Sequence, residues 1–301
     1  MRYRTAAQLL RLASATAPTR RLYRLLGNLK NARSGATARI APKYVFRSEK
    51  FLELLRAHGV LREGLEALEI GTGWVHWEAL MLRLEVPSET LLYDIWDNRS
   101  WERFRAYARQ IAAPEMRAAL GITGAHAEDL IAAVAAAPDR ETAYGLLGFS
   151  YQADPTGLLA GIADGSRDLI ISSDVGEHLR REDLPEILAR TQAVLRPGGW
   201  AYHQVVLTDH LGIYAKGTHP KEYLRYSGAE FDGRINNRLQ YINRVQIPDW
   251  VAGFETAGFE MVAVERIGTC DLSGFPVHAD YSNLPPEDLA CTVVQFLVRK
   301  A

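Results

Sequence analysis

Residues 67–94 read ALEIGTGWVHWEALMLRLEVPSETLLYD, and this stretch decides the fold. From Leu65 to Ile70 the chain has the make-up of a short buried strand. Gly71-Thr72-Gly73 breaks that strand with a tight turn, and from His76 to Leu84 apolar residues recur at Leu80, Met81 and Leu84 with helical spacing. Leu91-Leu92-Tyr93 is a second strand, with Asp94 at its carboxyl end, 25 positions beyond Glu69. The unit is therefore strand, glycine turn, helix, strand. Glycine has no Cβ, so a ligand can come close to the backbone at such a turn. A carboxylate at the tip of the neighbouring strand can accept both hydroxyls of a ribose. Turns need glycine in any case, so a lone Gly-x-Gly does not by itself separate a ligand site from a turn.

The 301-residue chain suits one large domain or two small ones, and its 48% apolar and 24% charged residues are those of a soluble globular protein. No apolar run approaches the length of a bilayer span. Cys270 and Cys291 match no zinc or redox spacing, which reads as two ordinary thiols in a reducing cytoplasm, with a disulfide between them as the alternative. Net charge is −1 but unevenly spread. Eleven Lys or Arg precede the first acidic residue, Glu49, leaving about −12 for the remainder.

Residues 1–60 read as a basic helical segment, and 61–301 as the main domain. In the first part Leu22, Leu25, Leu26 and Leu29 share a face, while Arg20, Arg21 and Arg24 lie elsewhere. The acid-free start resembles a transit peptide, yet Arg11 interrupts the apolar run of Leu9, Leu10 and Leu12, against a secretory signal. The segment is expected to be a helical cap, the alternative being contact with a membrane or anionic surface. Residues 31–41 read as a linker, and a helix then runs through Phe51, Leu54 and Leu55 to Gly59. After Asp94 no strand signal returns until about Gly145. Trp101, Phe104, Tyr107, Ala108 and Ile111 have helical spacing, as do Leu130, Ile131 and Val134, so a helical insertion is expected over about 98–145. It is either a lid over a site or extra packing. Further strands are expected at Leu147 to Tyr151, Asp168 to Ile171, Trp200 to Leu207, Glu260 to Val264 and Cys291 to Val298, with helices before Arg196-Pro197-Gly198-Gly199 and over 248–257. Alternating strands and helices with near-continuous apolar strands call for an α/β fold, a parallel sheet covered on both faces. Ligands bind such sheets at the carboxyl ends of the strands. Gly71, Gly73, Asp94, Asp154, Ser173 and Asp174 all fall there.

In this ordered series the sequence resembles the class I S-adenosylmethionine-dependent methyltransferases over about residues 65–298. Glu69-Ile70-Gly71-Thr72-Gly73 looks like that family's first motif and Asp94 like its ribose-binding acid. Asp154 looks like the acid that receives the adenine amine, and Ser173 to Leu179 (SDVGEHL) is similar to a segment carrying a Glu-His pair. Leu195 to Gly199 (LRPGG) matches the family's punctuation before the fifth strand. The resemblance implies a Rossmann-like seven-stranded sheet with the last strand antiparallel and S-adenosyl-L-methionine as cofactor. It implies a cofactor site drawn from Glu69, Gly71, Thr72, Gly73, Asp94, Ile95, Asp154 and Ser173. Arg47, with Tyr44, is expected to close over the cofactor carboxylate. The family's third glycine is replaced by Val75, after Trp74.

Methyl transfer from a sulfonium requires alignment of the acceptor and, for a hydroxyl, removal of its proton, most simply by a histidine. His178, His203 and His210 are the candidates, with Asp209 expected to orient His210; alignment without a base is the alternative. Ser172-Ser173-Asp174-Val175 stands where amide- and base-nitrogen methylators of the family often carry Asn/Asp-Pro-Pro-Tyr, which favours an oxygen on a small molecule such as a sugar, glycan or natural product. No metal is expected. Three competing readings are carried. An NAD-dependent dehydrogenase would also use Gly-x-Gly and a strand-two acid, but lacks the glycine at position 76. A nucleic-acid methyltransferase would use the basic N-terminus. A non-catalytic relative would bind the cofactor without turnover.

Overall fold

The computed structural model describes residues 2–19, 21–22 and 35–301. The Leu25, Leu26 and Leu29 stripe, Arg20, Arg24 and positions 31–34 of the expected linker lie outside the described residues. Seven described strands form one sheet: β1 Leu65–Ile70, β2 Ser88–Asp94, β3 Phe149–Ala153, β4 Arg167–Ser173, β5 Leu195–Val206, β6 Phe259–Thr269 and β7 Cys291–Lys300. Their order is β3-β2-β1-β4-β5-β7-β6. The first five are parallel, with Leu68 beside both Leu91 and Ile170. β7 runs antiparallel between β5 and β6. The order reverses between β1 and β4, so the carboxyl ends of β1, β2, β4 and β5 frame one crevice, where open α/β sheets bind ligands.

Burial divides by strand face, as period-two alternation requires. Ala67, Leu92, Leu169, Ile171 and Tyr202 join a core with the helices Pro42–Ala57 and Trp77–Glu85, whose Phe51, Leu52, Leu80 and Met81 are fully buried. Leu68, Ile170, Ala201 and Val205 point the other way, against the helices Leu184–Val194 and Ile247–Thr256. The helix Pro42–Ala57, drawn from sequence as part of a separate 1–60 segment, is thus built into the main core.

The insertion forms four helices, Trp101–Ile111, Pro114–Ala119, Ala127–Ala136 and Arg140–Leu147. Phe104, Tyr107, Ile111, Ile131 and Val134 are buried in the same core as Trp77 and Leu80. The first, third and fourth of these helices thus pack an apolar face into the main core, whereas Pro114–Ala119 buries none of its residues.

The N-terminal helix Tyr3–Ser14 caps the irregular region after β5. Its Ala7 and Leu10 pack with Leu211, Tyr223, Phe231 and Ile235, so of the apolar residues around Arg11, Leu10 serves the docked face, while Leu9 and Leu12 are exposed. Arg11 itself donates to the carbonyls of Asp232 (3.2 Å) and Asn236 (2.9 Å). Both cysteines are free thiols, so no disulfide forms. No helix among the described residues is long and apolar enough to cross a membrane.

Candidate cofactor and acceptor site

The turn after β1 needs residues that tolerate left-handed backbone. Gly71 sits at φ +70° and Gly73 at φ +59°. A Cβ on Gly71 would clash with Val175 Cγ2, so the glycine also admits the segment after β4. The third left-handed position is taken by His76, at φ +47°. A histidine there is strained, and its ring is held at both nitrogens. Thr72 donates its hydroxyl to Glu69 Oε2 (2.6 Å), and His76 Nδ1 meets Thr72 Oγ1 at 2.9 Å. Since the threonine proton is committed to Glu69, Nδ1–H is the donor, which leaves Nε2 to accept from the Tyr144 hydroxyl. Burial lowers the His76 pKa to about 3, so the ring is neutral. Burial and the neighbouring Glu78 raise that of Glu69, whose second oxygen accepts from the Ala79 N–H at 3.2 Å. The hydrogen-bonded row Tyr144–His76–Thr72–Glu69 therefore fixes the turn from beneath and ties it to the insertion.

Asp94 ends β2 beside this turn. Its Oδ2 accepts from the Gly73 N–H (3.0 Å) and its Oδ1 from the Ile95 N–H (2.7 Å). Burial pushes its carboxyl above the usual range, and those N–H groups act against the rise. Trp74, Ile95 and Trp96 are exposed apolar side chains following β1 and β2, a surface suited to an adenine ring.

Asp154 follows β3, with its N–H on the Asp94 carbonyl (2.9 Å). The two aspartates thus converge on one end of the sheet. Its carboxylate, however, is already engaged by four protein donors: the Thr156 N–H and hydroxyl on Oδ1, and the Tyr93 hydroxyl (2.6 Å) and Ala160 N–H on Oδ2. Although burial opposes it, these bonds hold its pKa at about 2. The geometry makes Asp154 the organiser of the 154–160 loop and leaves it no free lone pair for an adenine amine, the role implied by resemblance.

Arg47 reaches the crevice but does not stand free. Its Nε (2.5 Å) and Nη2 (3.1 Å) grip Glu78, and its Nη1 holds Asp174 Oδ2 at 2.8 Å. Asp174 Oδ1 accepts from Gln204 Nε2 (2.9 Å). Asp174 is itself left-handed (φ +58°), directly before the Val175 that covers Gly71. Each guanidinium nitrogen thus faces a carboxylate oxygen, and Arg47 places Asp174 beside the glycine turn. Ser173 closes β4 in register with Gln204.

The three histidine candidates separate. His203 is a core residue. It lies in β5 with its ring 5.0 Å from Phe254, is 7% exposed, and burial lowers its pKa to about 4. That correction follows from alternation, since position 203 shares the sheet face of Ala201 and Val205. His178 and His210, beyond β4 and β5, come together with ring centroids 4.9 Å apart. His178 keeps an exposed edge, and its Nδ1 donates to the Tyr241 carbonyl (2.8 Å). Packing lowers both pKa values, that of His210 to about 4, so both rings are neutral near pH 7. Asp209 does not orient His210. Its carboxylate accepts from the Tyr3 hydroxyl (2.5 Å) and the Leu211 N–H (2.9 Å). The partner of His210 is a histidine 32 positions earlier, legible only once β4 and β5 are known to be neighbours.

A glycine turn packed under a β4 segment, and a strand-two acid on its backbone, define the cofactor end of a methyltransferase sheet. The chain belongs to the methyltransferase-domain family, whose profile matches residues 41–264. It is an S-adenosylmethionine-dependent methyltransferase, with S-adenosyl-L-methionine as its cofactor. No curated protein matches its sequence. Similar solved structures include a proposed sarcosine dimethylglycine methyltransferase of Galdieria sulphuraria, 14% identical, with a TM-score of 0.47 and 85% of each chain covered. An S-adenosylmethionine-dependent methyltransferase of Mesorhizobium loti is 16% identical, with a TM-score of 0.41 over 82% of this chain and 96% of that one. Phosphoethanolamine N-methyltransferase 2 of Haemonchus contortus is 13% identical, with a TM-score of 0.45 over 83% of this chain and 52% of that one. Likenesses this distant carry nothing about the acceptor.

Proposed function

We propose that this methyltransferase O-methylates a hydroxyl on a small molecule, of the sugar, glycan or natural-product class. The observation that carries the reading is the pair of neutral imidazoles, His178 and His210, 4.9 Å apart beyond the strands next to the glycine turn. When bound, the cofactor supplies an electrophilic methyl group. The chain's own task is to hold the acceptor oxygen in line with it and to receive the hydroxyl proton. Tyr241 fixes His178 with Nδ1 protonated, so Nε2 is its basic nitrogen. Gly71, Thr72, Gly73, Asp94 and Ile95 are assigned to the cofactor, supported by Glu69 and Ser173. Ser172-Ser173-Asp174-Val175 also favours oxygen over a planar nitrogen. Against a nucleic-acid acceptor, Arg4 pairs with Glu230 and Arg11 with backbone carbonyls, so two cations of the basic arm are engaged within the protein.

The test is incubation with isotopically labelled S-adenosyl-L-methionine and a panel of hydroxylated small molecules, with the product carbon assigned by NMR. A labelled methoxy group supports the reading. Label appearing only on nitrogen, or only in RNA or DNA, refutes it.

A further inference from the structure

Three potential ligands meet just beyond β4 and β5. We propose that Glu177, His178 and His210 form a binding site for one divalent transition-metal ion of the zinc, cobalt or iron(II) class. Their ligand atoms lie within 4.8 Å of one another. Coordination at about 2.1 Å would draw them to roughly 3 Å apart, a side-chain adjustment that the exposed His178 can make.

The strongest sign is Glu177. It is 3% exposed, and its Oε2 has no hydrogen-bond partner. A buried carboxylate oxygen without a donor is costly, and a cation is one group that would satisfy it. His178 gives independent support. Its Nδ1–H rests on the Tyr241 carbonyl, which leaves the Nε2 lone pair for an ion, an arrangement that metal-binding histidines usually show. The backbone beneath is rigidly held. Asn243 donates through its side chain to the Gly176 (2.7 Å) and Leu179 (3.0 Å) carbonyls, and through its N–H to that of Glu177 (2.8 Å). Residues 241–243 thus clamp the turn that presents both Glu177 and His178.

Two imidazoles and one carboxylate suit a borderline ion better than magnesium or calcium, which prefer all-oxygen shells. Three protein ligands leave at least one position open. With the ion bound, His178 Nε2 is a ligand and no longer the base; an acceptor oxygen at the open position would lose its proton by metal acidification instead, so in its role the ion rests on the O-methylation reading while replacing its imidazole base. Binding of the ion does not rest on that reading.

The test uses the full chain, freed of metal by chelation and dialysis. Co²⁺ is titrated while its visible d–d bands are followed, and bound Zn²⁺ is counted by elemental analysis. One equivalent per chain is expected. Glu177→Gln and His210→Ala should each weaken binding by more than the 10- to 100-fold typical of losing an outer partner. His219→Ala, whose ring contacts the Asp271 carbonyl, should leave it unchanged. S-adenosylhomocysteine affinity checks that each variant is folded. Should a variant fail that check, a Zn²⁺-dependent rise in the wild-type melting temperature, reversed by chelator, stands in its place. Absence of saturable binding by wild type, or equal binding by folded Glu177→Gln and His210→Ala, overturns the site. Saturable binding with methyl transfer only to nitrogen upholds the site and defeats the acceptor reading; O-methylation without ion binding does the reverse.

Discussion

Lys221 gives a sharp test of the structure, because a lysine with no exposure and no ion pair must show itself in the pH dependence of stability. Its ammonium is wholly buried, and its Nζ donates to the Tyr223 hydroxyl at 3.0 Å. Burial lowers its pKa from 10.5 to about 8, with weaker opposing contributions from Cys291, Cys270 and Asp288. The unfolded chain therefore binds more protons than the folded one between about pH 8 and 10.5, and in that window this group makes stability rise with pH. Below pH 8 the lysine is charged in both states, and the full penalty stands. A fall of about 2.5 in pKa corresponds to roughly 3 kcal/mol. Lys221→Met removes that penalty together with one hydrogen bond worth about 1 kcal/mol, so it should stabilise the protein by about 2 kcal/mol at pH 7. The advantage should shrink through pH 9 and vanish by about pH 10.5, leaving the variant slightly the weaker. Urea unfolding of both proteins at pH 7, 8, 9 and 10, compared by midpoint and slope, measures the difference. A difference that is flat with pH, or a variant less stable at pH 7, would show that the buried charge is compensated and refute the reasoning.

The remaining predictions concern the cofactor end. Asp94→Ala should weaken S-adenosyl-L-methionine binding by about 1–3 kcal/mol through unpaired ribose hydroxyls, and unchanged calorimetric affinity would remove Asp94 from the site. Gly71→Ala combines a left-handed backbone with a clash on Val175. It should abolish measurable S-adenosylhomocysteine binding, and a crystal structure with the turn and Val175 undisturbed would contradict this. Tyr144→Phe leaves His76 Nε2 buried without a donor and should cost about 1–3 kcal/mol in denaturant unfolding, with weaker cofactor affinity. Wild-type values for both would disconnect the insertion from the glycine turn.

The sheet was legible because its signals are local. Glu69 to Gly73 reads as strand and turn on residue type alone, and the Arg196-Pro197-Gly198-Gly199 run stops the preceding helix at Val194. Strand ends were less so. β6 extends to Thr269, well past the expected Val264, because pairing with β7 carries its polar end, Glu265 and Arg266, where apolar alternation is lost. The site was legible where neighbours in sequence are neighbours in space, as for Gly73 and the strand-two acid. It misled where sequence adjacency stood in for contact. Asp209 lies next to His210 yet binds Tyr3, 206 positions away, and of the four donors on Asp154 three come from a loop with no motif of its own and the fourth from Tyr93, 61 positions earlier. Nothing in the string marks His76 as left-handed. A histidine at positive φ can be recognised only through Thr72 and Tyr144, and the latter is 68 positions distant.

These long-range contacts explain how a family sheet can carry two unusual flanks without losing its site. The insertion reaches the glycine turn through the Tyr144 hydroxyl, and the N-terminal helix reaches the loop after β5 through the Tyr3 hydroxyl. Each phenol buries its ring among apolar neighbours and spends its one polar group on a residue beside the site, His76 in one case and Asp209 in the other. The glycine turn and the loop after β5 are thus braced by elements from different parts of the chain, and Arg47 joins Glu78 on the helix after the glycine turn to Asp174 after β4. Charge explains why that joint holds. Glu78 is 3% exposed, and burial raises its pKa against the pull of Arg47, so removing the guanidinium would strand one buried carboxylate and free another. Arg47 therefore ties the helix that follows the glycine turn to the segment that follows β4.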